Sequence, residues 1–426
     1  MFNAKTALFS GATMAVLLAG APVLAQVFPT GKVFDLTVGV NSTYLSSTDK
    51  LSGGTQTAPV GFTTVSEMFD SAKDSGLSNI NSSYNSNSAS VIRMGYRGLP
   101  LVVTTSAGSS QVVFSIPALN QVTVFSAKAT RDGNVDDLRE YLKSSGGAIL
   151  DQLQLLLAKS SPVDPIAGNP GSMQSQMVMA DFDRNFTAFA TNIKQGGESA
   201  SNLIGVGASF GSFTQAGVTN QTVTLPLSYT FRSDLDPRRQ LNLYAPISVT
   251  TVAGAKSFAA NFGVSYRMPI TDEWALTPGL GYGVSGSADL GSSAAMLAAS
   301  VTSQYTIQRD GYDIAIGNTI GIYQSSKLSL GGYSFDPKIS NTVFRNGILV
   351  SIPTTAFGQK MAYEISYINT LFTGTELYSK QYNEIGLTLG TNKSANSARS
   401  FLRAGASYLQ GENGITGFRL NVGYWF

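Results

Sequence analysis

The pentapeptide G-x-S-x-G lies at Gly207–Gly211, with Ser209 at its centre. In serine hydrolases this motif presents a nucleophilic serine on a sharp turn between a strand and a helix. The chain contains no histidine, so the usual general base for such a serine is absent. The motif also lies within an alternating segment that predicts a strand. The sequence therefore argues against a serine hydrolase, and it excludes zinc held by histidine.

A glycine-rich stretch, GLGYGVSG, places glycine at Gly279, Gly281 and Gly283. Such spacing resembles a phosphate-binding loop, but these glycines alternate with larger residues as in a strand. Glycines on the lumenal face of a barrel explain the pattern better. Carboxylate chemistry at Glu364 and Glu384 is the one enzymatic alternative that is left. We expect no enzyme activity, no cofactor and no metal.

Both features belong to a long series of alternating segments in the second half of the chain. Each segment is long enough to cross a bilayer as a tilted strand, which takes about 9–11 residues. About twelve are present, and an even number is typical of single-chain outer-membrane barrels. A secreted β-sandwich or solenoid is the alternative, but its strands are usually shorter. The segments are 203–213, 221–232, 239–251, 257–268, 273–285, 294–308, 311–323, 342–353, 360–371, 381–391, 399–409 and 415–426.

Charged residues within these segments fall on the less apolar face. An arginine facing lipid at mid-membrane costs about 2–4 kcal/mol, so we expect these side chains to line an interior. Two interpretations fit them: a selectivity ring, or a network of internal salt bridges. The predicted lumen-lining residues are Arg267, Arg345, Glu364, Glu384, Arg403 and Arg419.

The connections between the segments alternate between tight and loose. SDLDPRR, MPITDE and QRDGY are typical of short periplasmic turns, whereas SSKLSLGGYSFDPKIS and LFTGTELYSK are typical of longer outer loops. With an even number of strands, both ends of the barrel lie on the periplasmic side.

The N-terminus has the pattern of a secretory signal peptide over residues 1–25. Lys5 precedes an apolar stretch, and small residues predict cleavage between Ala25 and Gln26. A retained helix is the alternative. The absence of cysteine excludes a lipid-anchored N-terminus and disulfides.

Composition narrows the function classes. The net charge is +2 and only 13% of residues are charged, which argues against nucleic acid as a partner. Beyond the signal peptide, no run of about 18 apolar residues predicts a spanning helix. Short alternating apolar segments with abundant glycine and aromatic residues favour a transmembrane β-barrel.

Residues 26–171 predict a separate α+β region. Its Ser/Asn-rich stretch from 46 to 90 indicates loop or disorder. One strand is predicted before that stretch, within KVFDLTVGVNSTYL, and a three-stranded meander over 91–126. One long helix is predicted over 134–160, whose apolar stripe either packs on the meander or binds a partner.

A second helix is predicted within residues 172–198, immediately before the barrel at 199–426. Its charged residues Asp181, Asp183 and Arg184 allow two interpretations. They either form a solvated polar face or contact lumenal groups if the helix lies in the pore.

The final strand, FRLNVGYWF, presents an apolar stripe with a terminal aromatic residue. Such a stripe predicts a lipid-facing strand that closes the barrel. Its members are Phe418, Leu420, Val422, Tyr424 and Phe426.

The segment DRNFTAFATNIK leading into LIGVGASFGSF, together with FRLNVGYWF, resembles the translocator domain of autotransporters over about residues 172–426. It is most similar to short, solitary members with little passenger. The resemblance implies a helix in a polar pore, an N-terminal region carried outward, and a Gram-negative outer-membrane location. It also implies assembly by the barrel assembly machinery and periplasmic chaperones, with the terminal stripe as the signal.

Two features depart from that family: there is no long repetitive passenger, and no Asn-Asn pair in the second helix. We therefore expect an uncleaved protein that holds or displays its own N-terminal region, with an unknown surface partner. The alternative is a passive channel for small solutes with a periplasmic N-terminal domain.

Overall fold

The computed structural model describes residues 28–126, 128–144, 147–187, 202–330, 333–356, 358–391 and 401–425. The predicted signal peptide and its cleavage position at Ala25 and Gln26 lie outside these residues, as does Phe426.

The first part of the chain folds into a sheet-and-helix unit, here called the cap, which comprises the described residues between 28 and 160. Its main sheet has the strand order β4-β1-β6-β7-β8-β9, with β5 paired to β1, and β2 and β3 form a separate hairpin. The elements are β1 (Phe34–Val40), β2 (Thr43–Leu45), β3 (Lys50–Ser52), β4 (Thr55–Gln56), β5 (Val60–Phe62), α1 (Val65–Ser71), α2 (Asp74–Ile80), β6 (Ser90–Tyr96), β7 (Leu99–Thr105), β8 (Val112–Ile116), β9 (Gln121–Phe125), α3 (Arg131–Ser144) and α4 (Gly147–Ser160).

The cap is more ordered than its sequence indicates. The interpretation of 46–90 as loop is wrong, because this stretch contains β3, β4, β5 and two helices. A capping box explains where α1 begins. The Thr64 hydroxyl accepts a hydrogen bond from the Glu67 amide, and the Glu67 carboxylate accepts one from the Thr64 amide. This capping box satisfies amides that the first helical turn leaves free.

Three further expectations for the cap need correction. The single strand predicted around Phe34 is two, because Asn41 adopts a left-handed backbone (φ 54°) between β1 and β2. The meander has four strands, from β6 to β9, and the helix predicted over 134–160 is two helices. The apolar stripe of α4 packs on the cap: Leu153 and Leu157 are buried in the same core as the sheet.

Residues 161–172 follow the cap and are buried throughout; we call them the mouth segment. The plug helix, α5 (Met173–Thr187), comes next and contacts the inner wall of the barrel. The remainder of the helix predicted up to residue 198 lies outside the described residues.

The rest of the chain is a closed antiparallel barrel of twelve strands, as predicted. The last strand pairs with the first from Gly205 to Thr214, which closes the sheet. Two strands are each split in two at Pro226 and Pro246, since proline cannot donate to the ladder. The elements are β10 (Leu203–Gln215), β11 (Val218–Leu225), β12 (Leu227–Arg232), β13 (Gln240–Tyr244), β14 (Ile247–Val252), β15 (Ala255–Pro269), β16 (Trp274–Ser287), β17 (Ser292–Arg309), β18 (Tyr312–Ser326), β19 (Leu328–Leu330), β20 (Tyr333–Phe335), β21 (Ser340–Ala356), β22 (Gln359–Gly374), β23 (Gln381–Thr391), β24 (Phe401–Gly411) and β25 (Thr416–Trp425); β19 and β20 form a hairpin within a connection.

The two ends of the barrel differ. β10 begins and β25 ends at one end, which we call the terminal rim; the connections after β10, β14, β16, β18, β22 and β24 form the other end, the loop rim. The cap packs on the loop rim. Val218, Val252 and Leu290 from this rim belong to the hydrophobic core of the cap. The Tyr96 hydroxyl donates to the carbonyls of Leu290 and Gly291, each at 3.0 Å.

The outer face of the barrel is a continuous apolar belt, here called the lipid belt. Aromatic residues lie near the terminal rim, and others near the loop rim, as in the girdles of transmembrane barrels. The first group is Phe231, Tyr266, Trp274, Tyr305, Tyr363 and Tyr424, and the second is Phe258, Tyr408 and Phe418. The chain is thus an outer-membrane-type β-barrel. None of the helices in the described residues is apolar and long enough to cross a bilayer.

Candidate functional site: the plugged lumen

The plug helix lies against a wall of the lumen that is built from glycines. A Cβ added at Gly317 would come within 2.4 Å of Phe186, and one at Gly347 within 2.9 Å of Phe182. A Cβ at Gly283 would come within 2.7 Å of the sulfur of Met177. The glycines therefore provide the width that a helix needs inside a twelve-stranded barrel. In the glycine-rich stretch Gly279–Gly283, it is Gly283 that makes this close approach, and the stretch lies within strand β16 rather than in a phosphate loop.

Asp181 is the polar anchor of the plug helix and is 5% exposed. Its carboxylate accepts hydrogen bonds from the hydroxyls of Tyr244 and Tyr323, the latter at 2.8 Å. The next turn adds Arg184, whose guanidinium lies 3.6 Å from the ring centroid of Tyr244. A buried carboxylate is tolerated only when donors replace its lost hydration. These contacts decide between the two interpretations of the helix charges: Asp181 and Arg184 contact lumenal groups.

We expect Tyr323→Phe to lower the free energy of unfolding by about 1.5–3 kcal/mol, because a hydrogen bond to a charged group is lost inside the barrel. Equilibrium unfolding in urea, in lipid vesicles, measures this. Tyr282→Phe on the lipid belt is the matched control, since Tyr282 is 39% exposed on the outer face. Equal stabilities for the two variants would contradict the anchoring role of Asp181.

A four-membered ion ring joins the plug helix to charged side chains of three barrel strands. Arg345 binds Glu384 at 2.8 Å and Asp183 at 3.4 Å, and Arg419 binds the same carboxylates at 2.9 and 3.0 Å. Arg345 is fully buried and Glu384 is 2% exposed. Two positive and two negative groups thus neutralise one another, and Asp183 is the member that belongs to the helix. The ring pins the helix to β21, β23 and β25.

All six charged residues predicted to line the lumen lie on inward faces of their strands. Glu364 and Arg403 form a second ion pair, on β22 and β24. Arg267 lies apart from both groups and donates to the Gln304 side chain at 3.3 Å. Five of the six are therefore members of salt bridges, which favours the network over a selectivity ring. The two glutamates of the enzymatic alternative are each held by arginine.

The mouth segment closes the loop-rim end of the lumen. Arg97 of the cap and Asp164 of the segment form an ion pair at 3.1 Å, and both side chains are fully buried. Burial raises the pKa of the Asp164 carboxyl, while the adjacent Arg97 and the amides of Ile166 and Ala167 favour its ionised form. The carbonyl of Pro162 accepts from Asn220 of the barrel wall at 3.1 Å. Cap, segment and barrel are thus bonded to one another at this mouth.

A cavity of about 310 Å³ lies on the terminal-rim side of the lumen, beside the plug helix. Its lining includes Met179 and Asp183 of the helix and Ser209, Arg403 and Arg419 of the strands. The charged groups around it are already paired, so it presents no free ionic group among the described residues that line it.

The remaining predicted site residues lie as follows. Ser209 lies inside strand β10, as expected, and bonds Asn421 at 2.6 Å. Phe418, Leu420, Val422 and Tyr424 face outward, each more than 40% exposed. Their role as an assembly signal stays a prediction.

Sequence reasoning missed the partners that hold the helix, Tyr244 and Tyr323, and the buried pair Arg97–Asp164. The alternation of inward and outward residues along β13 and β18 places both tyrosines in the lumen, so their inward direction could have been predicted from the sequence. No pattern linked Arg97 to Asp164, because they are brought together only by the docking of the cap.

No protein-family model and no curated protein matches the chain. Among solved structures it is similar to the β domain of the Bordetella autotransporter BrkA, with 12% identity over 53% of this chain and 98% of that one and a TM-score of 0.41. The NalP translocator domain from Neisseria meningitidis matches with 12% identity, 60% and 97% coverage and the same TM-score.

An outer membrane channel from Pseudomonas putida F1 also matches, with 12% identity, 55% and 97% coverage and a TM-score of 0.36. The neighbours thus include the translocator domains that the sequence resembles, and channels as well. Similarity of this extent does not distinguish between their functions.

Proposed function

We propose that this protein is an outer-membrane barrel of autotransporter type that holds its own cap at the cell surface and has no catalytic activity. Barrel assembly machinery and periplasmic chaperones act on it during biogenesis, outer-membrane lipid surrounds it, and nucleic acid is not a partner. The cap remains attached after assembly.

The observation that carries the proposal is the position of the cap relative to the rim where the barrel begins and ends. Single-chain outer-membrane barrels with an even number of strands have both termini, and their short turns, on the periplasmic side. Here that side is the terminal rim, and the cap packs on the opposite rim. The plug helix runs between them, from Met173 near the loop rim to Asn185, which bonds Thr302 deeper in the lumen. In this orientation the helix begins beside the external cap and extends into the lumen.

The second support is the way the pore is filled. The plug helix, the ion ring and the buried mouth segment occupy the lumen with paired polar groups. Such an arrangement is costly to disassemble, since each buried ion left without its partner is strongly destabilising. A tether of this kind suits permanent display better than solute flow.

Epitope tags at two exposed turns test the proposal in whole cells. One tag is inserted at Ser47 in the exposed β2–β3 turn of the cap, and the control tag at Leu235, which is 96% exposed in the turn after β12 at the terminal rim. We expect antibodies to label the Ser47 tag on intact cells and the Leu235 tag only after the outer membrane is ruptured.

The reverse labelling would overturn surface display, because the cap would then lie in the periplasm. In that case the channel with a periplasmic domain becomes the better hypothesis. Labelling of both tags only after rupture would likewise exclude display.

A further inference from the structure

Four asparagines face outward from four adjacent strands and lie directly opposite one another; we call them the asparagine ladder. Asn318 of β18 pairs with Asn346 of β21, Asn346 with Asn369 of β22, and Asn369 with Asn383 of β23. Opposed side chains in such positions have Cβ atoms about 4.5–5.5 Å apart. The ladder is therefore one continuous row of amides on the outside of the barrel.

The ladder runs obliquely across the outer face, from the loop rim at Asn383 to the middle of the lipid belt at Asn318. On β23, Asn383 lies near the loop rim, close to the strand end at Gln381. On β18, Asn318 lies between outward Ile316 and Ile320, the latter 49% exposed. The tilt of barrel strands explains this descent, because residues in register lie along an oblique line relative to the membrane plane.

At the loop-rim end of the ladder the amides have hydrogen-bond partners on neighbouring strands. At the deeper end, at Asn318 and Asn346, they have none among the described residues. Asn383 accepts hydrogen bonds from the side chains of Asn369 and Tyr367, both at 2.8 Å. Asn318 and Asn346 are exposed, and neither makes a side-chain hydrogen bond within the part of the chain that the structure describes. An amide surrounded by hydrocarbon is strongly unfavourable when it lacks a partner. These two amides therefore call for a partner at the depth of the bilayer.

We propose that the wall around Asn318 and Asn346 is the interface with a second copy of this chain in the membrane. An amide carries both donors and an acceptor, so the same side chain in a second copy is complementary to it. A two-fold axis along the membrane normal brings like surfaces together, as isologous interfaces require. Lipid headgroups lie beyond the belt and do not reach Asn318 between its isoleucines. The flanking apolar residues Ile320 and Ile348 pack around the amides.

Single cysteines test this directly, because the chain contains none. Ile348→Cys, beside Asn346 on the outward face of β21, is treated in outer membranes with a short bis-maleimide and analysed on denaturing gels. We expect a band at twice the mass of the chain. Val223→Cys, 48% exposed on a strand across the barrel, is the matched control and is expected to stay monomeric. Absence of the dimer band for Ile348→Cys, or a product with a protein of different mass, would overturn the proposal.

A second experiment asks whether the amides themselves drive the contact. Ile348→Cys, on the same face and 44% exposed, reports dimer formation in the presence or absence of Asn318→Leu and Asn346→Leu. We expect the two leucines to lower the crosslinked fraction about tenfold, the effect of losing amide hydrogen bonds in lipid. Leucine suits the lipid face, so heat-modifiable gel mobility should still report a folded barrel. An unchanged crosslinked fraction would refute the role of the ladder.

Discussion

Arg345→Met is expected to lower the free energy of unfolding by about 3–5 kcal/mol, the cost of leaving buried charges without their partner. Arg345 is fully buried and faces two carboxylates, Glu384 on the wall and Asp183 on the plug helix. Arg419 remains, but one guanidinium then faces two carboxylates. Urea unfolding in vesicles, followed by tryptophan fluorescence, measures the loss.

The ion ring also predicts that a second substitution, Glu384→Met, restores part of the stability lost in Arg345→Met. Arg345→Met combined with Glu384→Met leaves Arg419 and Asp183 as a balanced pair, so the double variant should be more stable than Arg345→Met alone. Arg309→Met, at an exposed strand end, is the matched control and should change stability by less than about 0.5 kcal/mol. Strictly additive losses for Arg345 and Glu384 would contradict a coupled ring.

Gly317→Leu is expected to displace the plug helix and open the lumen. Even a Cβ at this position would come within 2.4 Å of Phe186 and 3.3 Å of Phe182, so a leucine cannot be accommodated beside the helix. Overpacking of this kind typically costs about 1–3 kcal/mol, and only in the docked state, so it raises the fraction of undocked helix by about 5- to 150-fold. Conductance across planar bilayers measures the result: closed for the natural chain and open for Gly317→Leu.

Gly286→Leu is the matched control, because a Cβ there has nothing within 4 Å and that glycine faces outward. Adding Phe186→Ala to Gly317→Leu restores space and should reduce the conductance again. A sealed Gly317→Leu barrel, or an equally open Gly286→Leu barrel, would show that contact between helix and glycine wall does not keep the lumen closed.

The barrel can be predicted from the local pattern of the sequence. A strand has a side-chain period of two, so lipid on one side and a polar lumen on the other produce alternation that can be read residue by residue. For this reason the number of strands, the closing strand and the inward direction of residues such as Arg345 and Glu364 follow from local pattern. A slip of one residue would turn every charge toward lipid, which makes the register equally readable.

The secondary structure of the cap was predicted less accurately than that of the barrel, because it depends on helix capping and on strand pairing with the rest of the sheet rather than on composition. Ser/Asn-rich residues between 46 and 90 form short strands and helices once Thr64 caps α1 and the sheet supplies an edge for β4 and β5. Low hydrophobicity predicts disorder only for a segment that must stabilise itself.

The partners of the charged residues, in contrast, depend on the tertiary structure. A strand pattern states which face a residue occupies, but it does not state which strands stand across the lumen or what fills it. Asp183 meets Arg345 and Arg419 because the helix threads the pore, and Arg97 meets Asp164 because the cap rests on the loop rim. These contacts join residues far apart in the chain, and their pairing follows from barrel closure and docking, which no local period encodes.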